Sequence, residues 1–253
     1  MIKVKDISDY INKISPYDTK CDWDNCGILV GDEEAEVKKI AFTLDLTPDT
    51  LLEAKTFGAD LIVTHHPVIF KPQLSFIKGN ITYEAATLGM SVISAHTCFD
   101  CASGGVNDVL CELLGIKNAV GVPSEESKFP MARIGDINPM SSVDFSAFVA
   151  ERLNTVCRVV DSGKAINKVA VCGGSGMDFF ESAVKMGADA FVTGDVSHHH
   201  FLRAADCGVT LIAAGHFETE FPAMTRLMDL VANVFDELEC LVINQKNPVK
   251  FIG

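Results

Sequence analysis

Two stretches of this chain recur at one fixed distance. Lys168-Val-Ala-Val-Cys172 answers Lys39-Ile-Ala-Phe-Thr43, and Gly187-Ala-Asp-Ala-Phe-Val-Thr193 answers Gly58-Ala-Asp-Leu-Ile-Val-Thr64. Both pairs lie 129 residues apart with no gap between them. Gly-Ala-Asp before an apolar run is common helix-to-strand punctuation on its own. The constant register makes internal duplication the better reading. Short apolar runs at 39–43 and 61–64, separated by a helical stretch, read as strand, helix, strand. A chain that repeats this unit folds as an α/β protein, with a largely parallel sheet covered on both faces.

The pattern continues in each copy. Thr47-Pro48-Asp49 marks a helix start, with an N-cap oxygen, a proline at the first helical position and an acid near the positive dipole end, and Gly58 can end that helix. A second helix near 83–88 and a strand at 91–95 follow. Gly89-Met-Ser-Val-Ile-Ser-Ala95 answers Gly208-Val-Thr-Leu-Ile-Ala-Ala214, and after one inserted residue His96-x-x-x-Asp100 answers His216-x-x-x-Glu220. The expected organisation is a first α/β lobe at 1–115, a connecting segment at 116–165, and a second, similar lobe at 166–253. Pro123, Pro130, Gly135 and Pro139 mark residues 115–162 as loops plus one helix near 143–153.

Composition narrows the function classes. The formal charge is −13, and 21 Lys and Arg are scattered without a basic run, so nucleic acid is a disfavoured partner. The first residues, MIKVKDISDYINKI, mix charge and apolar positions at helical spacing and lack the apolar core of a signal peptide. No stretch reaches the ~18 apolar residues of a membrane helix. Nine cysteines, odd in number and irregular in spacing, read as reduced thiols and a cytoplasmic location. Cys98-Phe-Asp-Cys101 is the one C-x-x-C; no second one completes a zinc site, and a structural role outweighs a redox one.

The chemistry sits in the histidines. His65, His66, His96, His198, His199, His200 and His216 all fall just past a strand end or in the adjoining loop and helix start. Ligands of open α/β sheets bind at the carboxyl ends of parallel strands. Adjacent His65 and His66 point apart if extended, and on a sharp turn each could serve a different metal. His216 and Glu220 stack on one helical face if a helix opens at Phe217. Imidazole with carboxylate suits zinc, manganese, iron, cobalt or nickel rather than calcium. The His198–200 run reads as a solvated helix start. Gly173-Gly174-Ser175-Gly176 lacks the lysine and spacing of a P-loop and reads as a tight turn, although an anion could visit it.

Several motifs, in order along the chain, resemble the NIF3-like family, whose members are also called GTP cyclohydrolase 1 type 2 homologues. They are Asp24-Asn25-Cys26-Gly27-Ile28-Leu29-Val30-Gly31, Thr64-His65-His66-Pro67, His96-Thr97-x-x-Asp100, Val171-Cys172-Gly173-Gly174-Ser175-Gly176, Thr193-Gly194-Asp195-x-x-His198-His199 and Gly215-His216-x-x-x-Glu220. The resemblance implies two similar α/β lobes around a dinuclear metal cleft. By motif, His66 and Asp100 hold one divalent ion, His65 and His216 the other, and Glu220 bridges both. It also implies a toroidal homohexamer. The family often has Asn where Cys98 stands, and its central Gly-Arg-x-Gly stands here as Ala132-Arg133-Ile134-Gly135.

The function expected from this set is a metal-dependent hydrolase acting on a small phosphoester, nucleotide or cyclic amide, with His96 orienting a ligand or moving a proton. The same ligands would serve a non-catalytic metal carrier or insertion protein, in which an exposed Cys98 or Cys101 assists transfer. They would also serve a regulatory scaffold pinned by metal.

Overall fold

The short apolar runs become strands because each ends where a buried register can be fixed. The computed structural model describes residues 1–124, 128–250 and 252. Its strands in chain order are β1 (Gly27–Val30), β2 (Lys39–Thr43), β3 (Leu61–Thr64), β4 (Ser91–Ser94), β5 (Lys117–Gly121) and β6 (Arg133–Ser141). They continue with β7 (Arg158–Val160), β8 (Ala165–Cys172), β9 (Ala190–Thr193), β10 (Thr210–Ala213) and β11 (Glu239–Val242). Two mixed sheets result, with orders β1-β4-β3-β2-β11 and β5-β6-β8-β9-β10-β7.

The duplicated segments form the parallel centre of each sheet. In the first, Ile40 faces Leu61 and Thr43 faces Thr64; in the second, Val169 faces Ala190 and Cys172 faces Thr193. The pairing register thus repeats at the same offset as the sequence. The Gly-Ala-Asp segments explain it. Gly58 and Gly187 take left-handed φ values of 80° and 86°, which an L side chain resists. Asp60 Oδ2 accepts from the backbone N–H groups of Lys38 and Lys39 at 2.8 and 3.0 Å, and Asp189 Oδ2 accepts from Asn167 and Lys168 at 2.9 Å each. Each aspartate therefore fixes where parallel pairing with its neighbouring strand begins.

The helix before the first Gly-Ala-Asp starts as the sequence implies. Thr47 Oγ1 accepts from Thr50 N at 3.2 Å, Thr50 Oγ1 accepts from Thr47 N at 2.8 Å, and Pro48 occupies the first helical position.

The chain divides into two compact units, Met1–Ser103 with Met224–Asn247, and Gly104–Ala223 with Pro248–Gly253. These boundaries differ from a division at 115 and 165. Strand β11 pairs with β2 in parallel, so part of the C-terminal region belongs to the first unit. The segment 116–165, of which 125–127 lie outside the described residues, is no loop-rich connector either. It supplies β5, β6, β7 and the helix Ser142–Arg152 to the second unit. Proline and glycine misled here: Pro139 lies in β6 where the register shifts between Asp136 and Met140, a site at which a missing N–H is tolerated.

Alternating side chains of the second sheet feed two apolar layers. Ala170, Cys172 and Phe191 pack with Phe179 and Phe180 on one face, whereas Val169, Val171 and Val192 pack with Phe145 and Val149 on the other. In the first unit Ala41, Ile62 and Val92 pack against Leu51, Ala54 and Ala85 of the flanking helices. Among the described residues no helix is long and apolar enough to cross a membrane.

Phe191 is fully buried and meets Phe180 edge to face at 5.7 Å. Phe191→Ala is expected to lower the unfolding free energy by about 3–5 kcal/mol in a urea titration. Leu52→Ala, on the exposed face of its helix, should change it by no more than about 0.5 kcal/mol.

Candidate metal centre

In the first unit, three neighbouring parallel strands end in polar residues. Asp45 lies two residues past β2, His65 and His66 follow β3, and His96 lies two residues past β4. The backbone ladder continues briefly beyond the strands: His65 N donates to Thr43 O at 3.2 Å, His66 N to Leu44 O at 3.0 Å and Ala95 N to Thr64 O at 2.9 Å. This extension holds the histidine backbones in the sheet's own geometry. One ring nitrogen each of His65, His66 and His96 lie within 4.8 Å of one another. The pair at 65 and 66 therefore contributes both rings to one cluster, with centroids 5.2 Å apart.

Asp100 reaches the same cluster from the helix Thr97–Cys101, with its Oδ1 3.7 Å from His65 Nε2. Both side chains are largely buried, His65 completely. In the second unit, β9 ends in Gly194-Asp195 and β10 leads to Gly215-His216. His216 opens the helix His216–Glu220, which puts its Nε2 3.1 Å from Glu220 Oε2, the i, i+4 pair that the spacing implied.

The other ring nitrogen of each histidine is fixed. His65 Nδ1 lies 2.9 Å from Ala95 O, His66 Nδ1 2.6 Å from Asp45 Oδ1, His96 Nδ1 2.8 Å from Asp24 Oδ1, and His216 Nδ1 2.7 Å from Asp195 Oδ2. A carbonyl or ionised carboxylate only accepts, so Nδ1 carries the proton in each neutral ring and Nε2 carries the lone pair. That is the tautomer of a metal-ligating imidazole, and such an acceptor also raises the ligand's basicity.

The acceptors are themselves held. Asp45 Oδ2 accepts from Gln245 Nε2 at 2.9 Å, and Gln245 Oε1 accepts from Asp45 N at 3.0 Å and from Thr43 Oγ1 at 2.7 Å. Asp195 Oδ2 also accepts from Ser175 Oγ at 3.0 Å. Asp24 accepts from Thr97 N at 3.0 Å, Thr97 Oγ1 at 2.5 Å and Asn25 N at 2.7 Å. Burial alone would push the Asp24 carboxyl up, but the bond from His96, its charge, and the Thr97 and Asn25 donors outweigh it and hold the group well below the usual carboxylate range.

The Gly173–176 turn is explained by the Glu220 side chain. Gly174 has φ +60°, and a Cβ there would overlap Glu220 Oε1 and lie 3.1 Å from His216 Nε2. Three of the turn's four N–H groups are occupied within the protein: Gly173 N donates to Asn107 Oδ1 at 2.8 Å, Gly174 N to Thr219 Oγ1 at 3.0 Å and Gly176 N to Thr193 Oγ1 at 2.9 Å. It is a tight turn built around the His216–Glu220 helix rather than an anion cradle. The His198–200 run occupies the first turn of the helix His198–Cys207, where His198 and His199 are exposed, as a solvated helix start should be.

The cysteines stand differently from one expectation. All nine are unbridged, but Cys98 is fully buried rather than exposed, and its Sγ lies 3.4 Å from Cys26 Sγ. Cys101 Sγ instead faces Thr19 O at 3.8 Å. The residues that motif reading passed over are Asp45 and Gln245. Asp45 had a signal, since it lies just past a parallel strand, where such sheets place their ligands. Gln245 had none, being distant in sequence.

A model of the Duf34/NIF3 family (NGG1p interacting factor 3) matches residues 2–248. A protein of Clostridium perfringens named GTP cyclohydrolase 1 type 2 homolog is 32% identical over 99% of this chain and 100% of its own length. One of the same name from Campylobacter jejuni is 32% identical over 99% and 100%. Among solved structures, Staphylococcus aureus hypothetical protein SA1388 superposes with a TM-score of 0.91 at 27% identity, covering 99% of each chain. Reduced HcgD from Methanocaldococcus jannaschii superposes with a TM-score of 0.83 at 27% identity, covering 96% of this chain and 98% of that one. A family match over residues 2–248 and likeness to relatives over nearly the whole length mean that this chain belongs to the Duf34/NIF3 family.

Proposed function

We propose that this protein binds two divalent metal ions and uses them as a hydrolase of a small phosphoester, nucleotide or cyclic amide. The observation that carries this reading is the set of four imidazoles whose Nδ1 atoms are each held by a carbonyl or carboxylate oxygen. Such a support is the usual companion of a metal-ligating imidazole, and three of these four rings, His65, His66 and His216, are the proposed ligands. The donor set fits a borderline transition-metal cation. It offers imidazole nitrogen and carboxylate oxygen, and it lacks the thiolate cluster of a closed structural zinc site. His65, His66, Asp100, His216 and Glu220 would hold the two ions, with Glu220 as the shared ligand.

When bound, a pair of such cations lowers the pKa of a coordinated water and stabilises negative charge on oxygen. The chain's own residues supply the rest. Asp45, Ala95 O and Asp195 orient the ligating rings. Asp24 holds His96 with its proton on Nδ1, leaving Nε2 to take or return a proton at the cluster. The name shared by the relatives from Clostridium perfringens and Campylobacter jejuni makes the ring of a purine nucleotide the first substrate to try. We further propose a homohexamer. The exposed apolar side chains Leu74, Phe76 and Ile77 favour such self-association, and the native mass of the purified protein is the check.

Elemental analysis of the purified protein should give about two divalent metals per chain, with Glu220→Ala retaining almost none and His96→Ala retaining most. Hydrolysis of phosphoesters, nucleotides or GTP should fall with metal content in Glu220→Ala, and should fall in His96→Ala despite its metal. Full metal content in Glu220→Ala would remove the shared ligand. Two metals with no turnover of any of these substrates would replace the hydrolase with a carrier.

The orienting carboxylates give an independent test. Asp45→Asn and Asp195→Asn are each expected to weaken metal binding by about 10–100-fold in competition with a chromophoric chelator, with unchanged circular dichroism. Wild-type affinity in both variants would mean that the Nδ1 contacts do not serve ligation.

A further inference from the structure

Two cysteines distant in sequence fall side by side in space. Cys26 lies immediately before β1, whose Gly27 pairs with Ser94 of β4. That pairing brings the residue before β1 near the helix Thr97–Cys101 that follows β4, and there Cys98 Sγ lies 3.4 Å from Cys26 Sγ although the two are 72 residues apart in sequence. The contact is inside van der Waals separation, and a disulfide would draw the two sulfurs to ~2.05 Å. Cys98 is fully buried, whereas Cys26 is partly exposed and gives the pair its one opening to solvent.

The geometry points to Cys26 and Cys98 as a reversible disulfide site, formed by a mild peroxide and coupled to the position of His96. This goes beyond the metal reading and does not depend on it. The motif Cys98-x-x-Cys101 is thereby reassigned: the redox partner of Cys98 is Cys26, not its near neighbour in sequence.

Cys26 gives up its proton and its sulfur attacks one peroxide oxygen. The O–O bond breaks, the departing hydroxide takes the proton and leaves as water, and Cys26 becomes a sulfenic acid. Cys98 sulfur then attacks Cys26 sulfur. The S–O bond breaks, the hydroxide takes the Cys98 proton, and a second water leaves. Two electrons pass from the two sulfurs to one peroxide molecule.

The coupling runs through one carboxylate. Cys26 Sγ donates to Asp24 Oδ2 at 3.3 Å, and the same Asp24 holds His96 Nδ1. Oxidation removes that thiol proton and draws the Cys26 sulfur toward Cys98. Asp24 loses one donor, and the support of His96 changes. A reporter is already in place, because Trp23, the sole tryptophan, lies with its ring 6.0 Å from that of His96.

The experiment treats the full-length protein with hydrogen peroxide, and in parallel with diamide, whose N=N bond accepts the two thiol hydrogens without any metal. It then counts alkylatable thiols after denaturation and maps cross-linked peptides. The expected result is two fewer thiols than the nine of the untreated chain. It includes a Cys26–Cys98 cross-linked peptide, a shift in Trp23 emission, and reversal of all three by dithiothreitol. Cys26→Ser and Cys98→Ser should each lose the cross-link and the emission shift, while Cys101→Ser keeps both. Nine alkylatable thiols after both oxidants would overturn the inference, and so would a cross-link from Cys98 to Cys101. A Cys26 driven to sulfinic acid with no cross-link would overturn it as well.

Discussion

Asp60 and Asp189 hold the two sheets in register. Each accepts from two successive backbone N–H groups of the neighbouring strand, just before its parallel pairing begins. Strands β2, β3, β4, β9 and β10 are only four or five residues long, so where a strand begins decides where it ends. A slip of one residue would turn every side chain to the opposite face. The histidines lie within a residue or two of those ends, and their rings would turn with it. The placement of the histidine rings is thus set at the far end of the sheet by carboxylates that touch none of them.

The supports of the four imidazoles differ in a way that burial explains. His65, fully enclosed, leans on a neutral backbone carbonyl. His66 and His216 are partly exposed and lean on carboxylates that water also reaches. His96 is the exception, since its Asp24 partner is completely covered. A buried carboxylate is costly unless its lone pairs are filled, and Asp24 meets that condition with donors from Thr97, Asn25 and Cys26 besides the imidazole. Three of the four acceptors thus follow the local exposure, and Asp24 departs from it with its lone pairs filled.

Much of this was legible in the sequence because it is local or periodic. The Gly-Ala-Asp segments, the Thr47-Pro48 helix start and the His216–Glu220 spacing depend on residues a few positions apart, and each took the form its spacing implied. The segment at 116–165 was misread because Pro139 sits at a register irregularity, and a string cannot distinguish that from a loop. Gln245 and the Cys26–Cys98 contact were out of reach for another reason. They join positions 200 and 72 residues apart, and only the completed strand order brings them together. Asp45 is the intermediate case, a residue whose placement past a strand end was a usable signal.

The turn at Gly174 bears on how the two copies can exchange material. Position 174 lies two residues past the end of β8, as Asp45 lies two residues past the end of β2, so the duplication makes them counterparts. In one copy that place carries a carboxylate; in the other it must be bare, because Glu220 fills the space where a side chain would begin. A crossover that carried Asp45 into the second copy would set one carboxylate against another and displace Glu220. Duplication made the halves alike, and the crowding at one glycine keeps them from being interchanged.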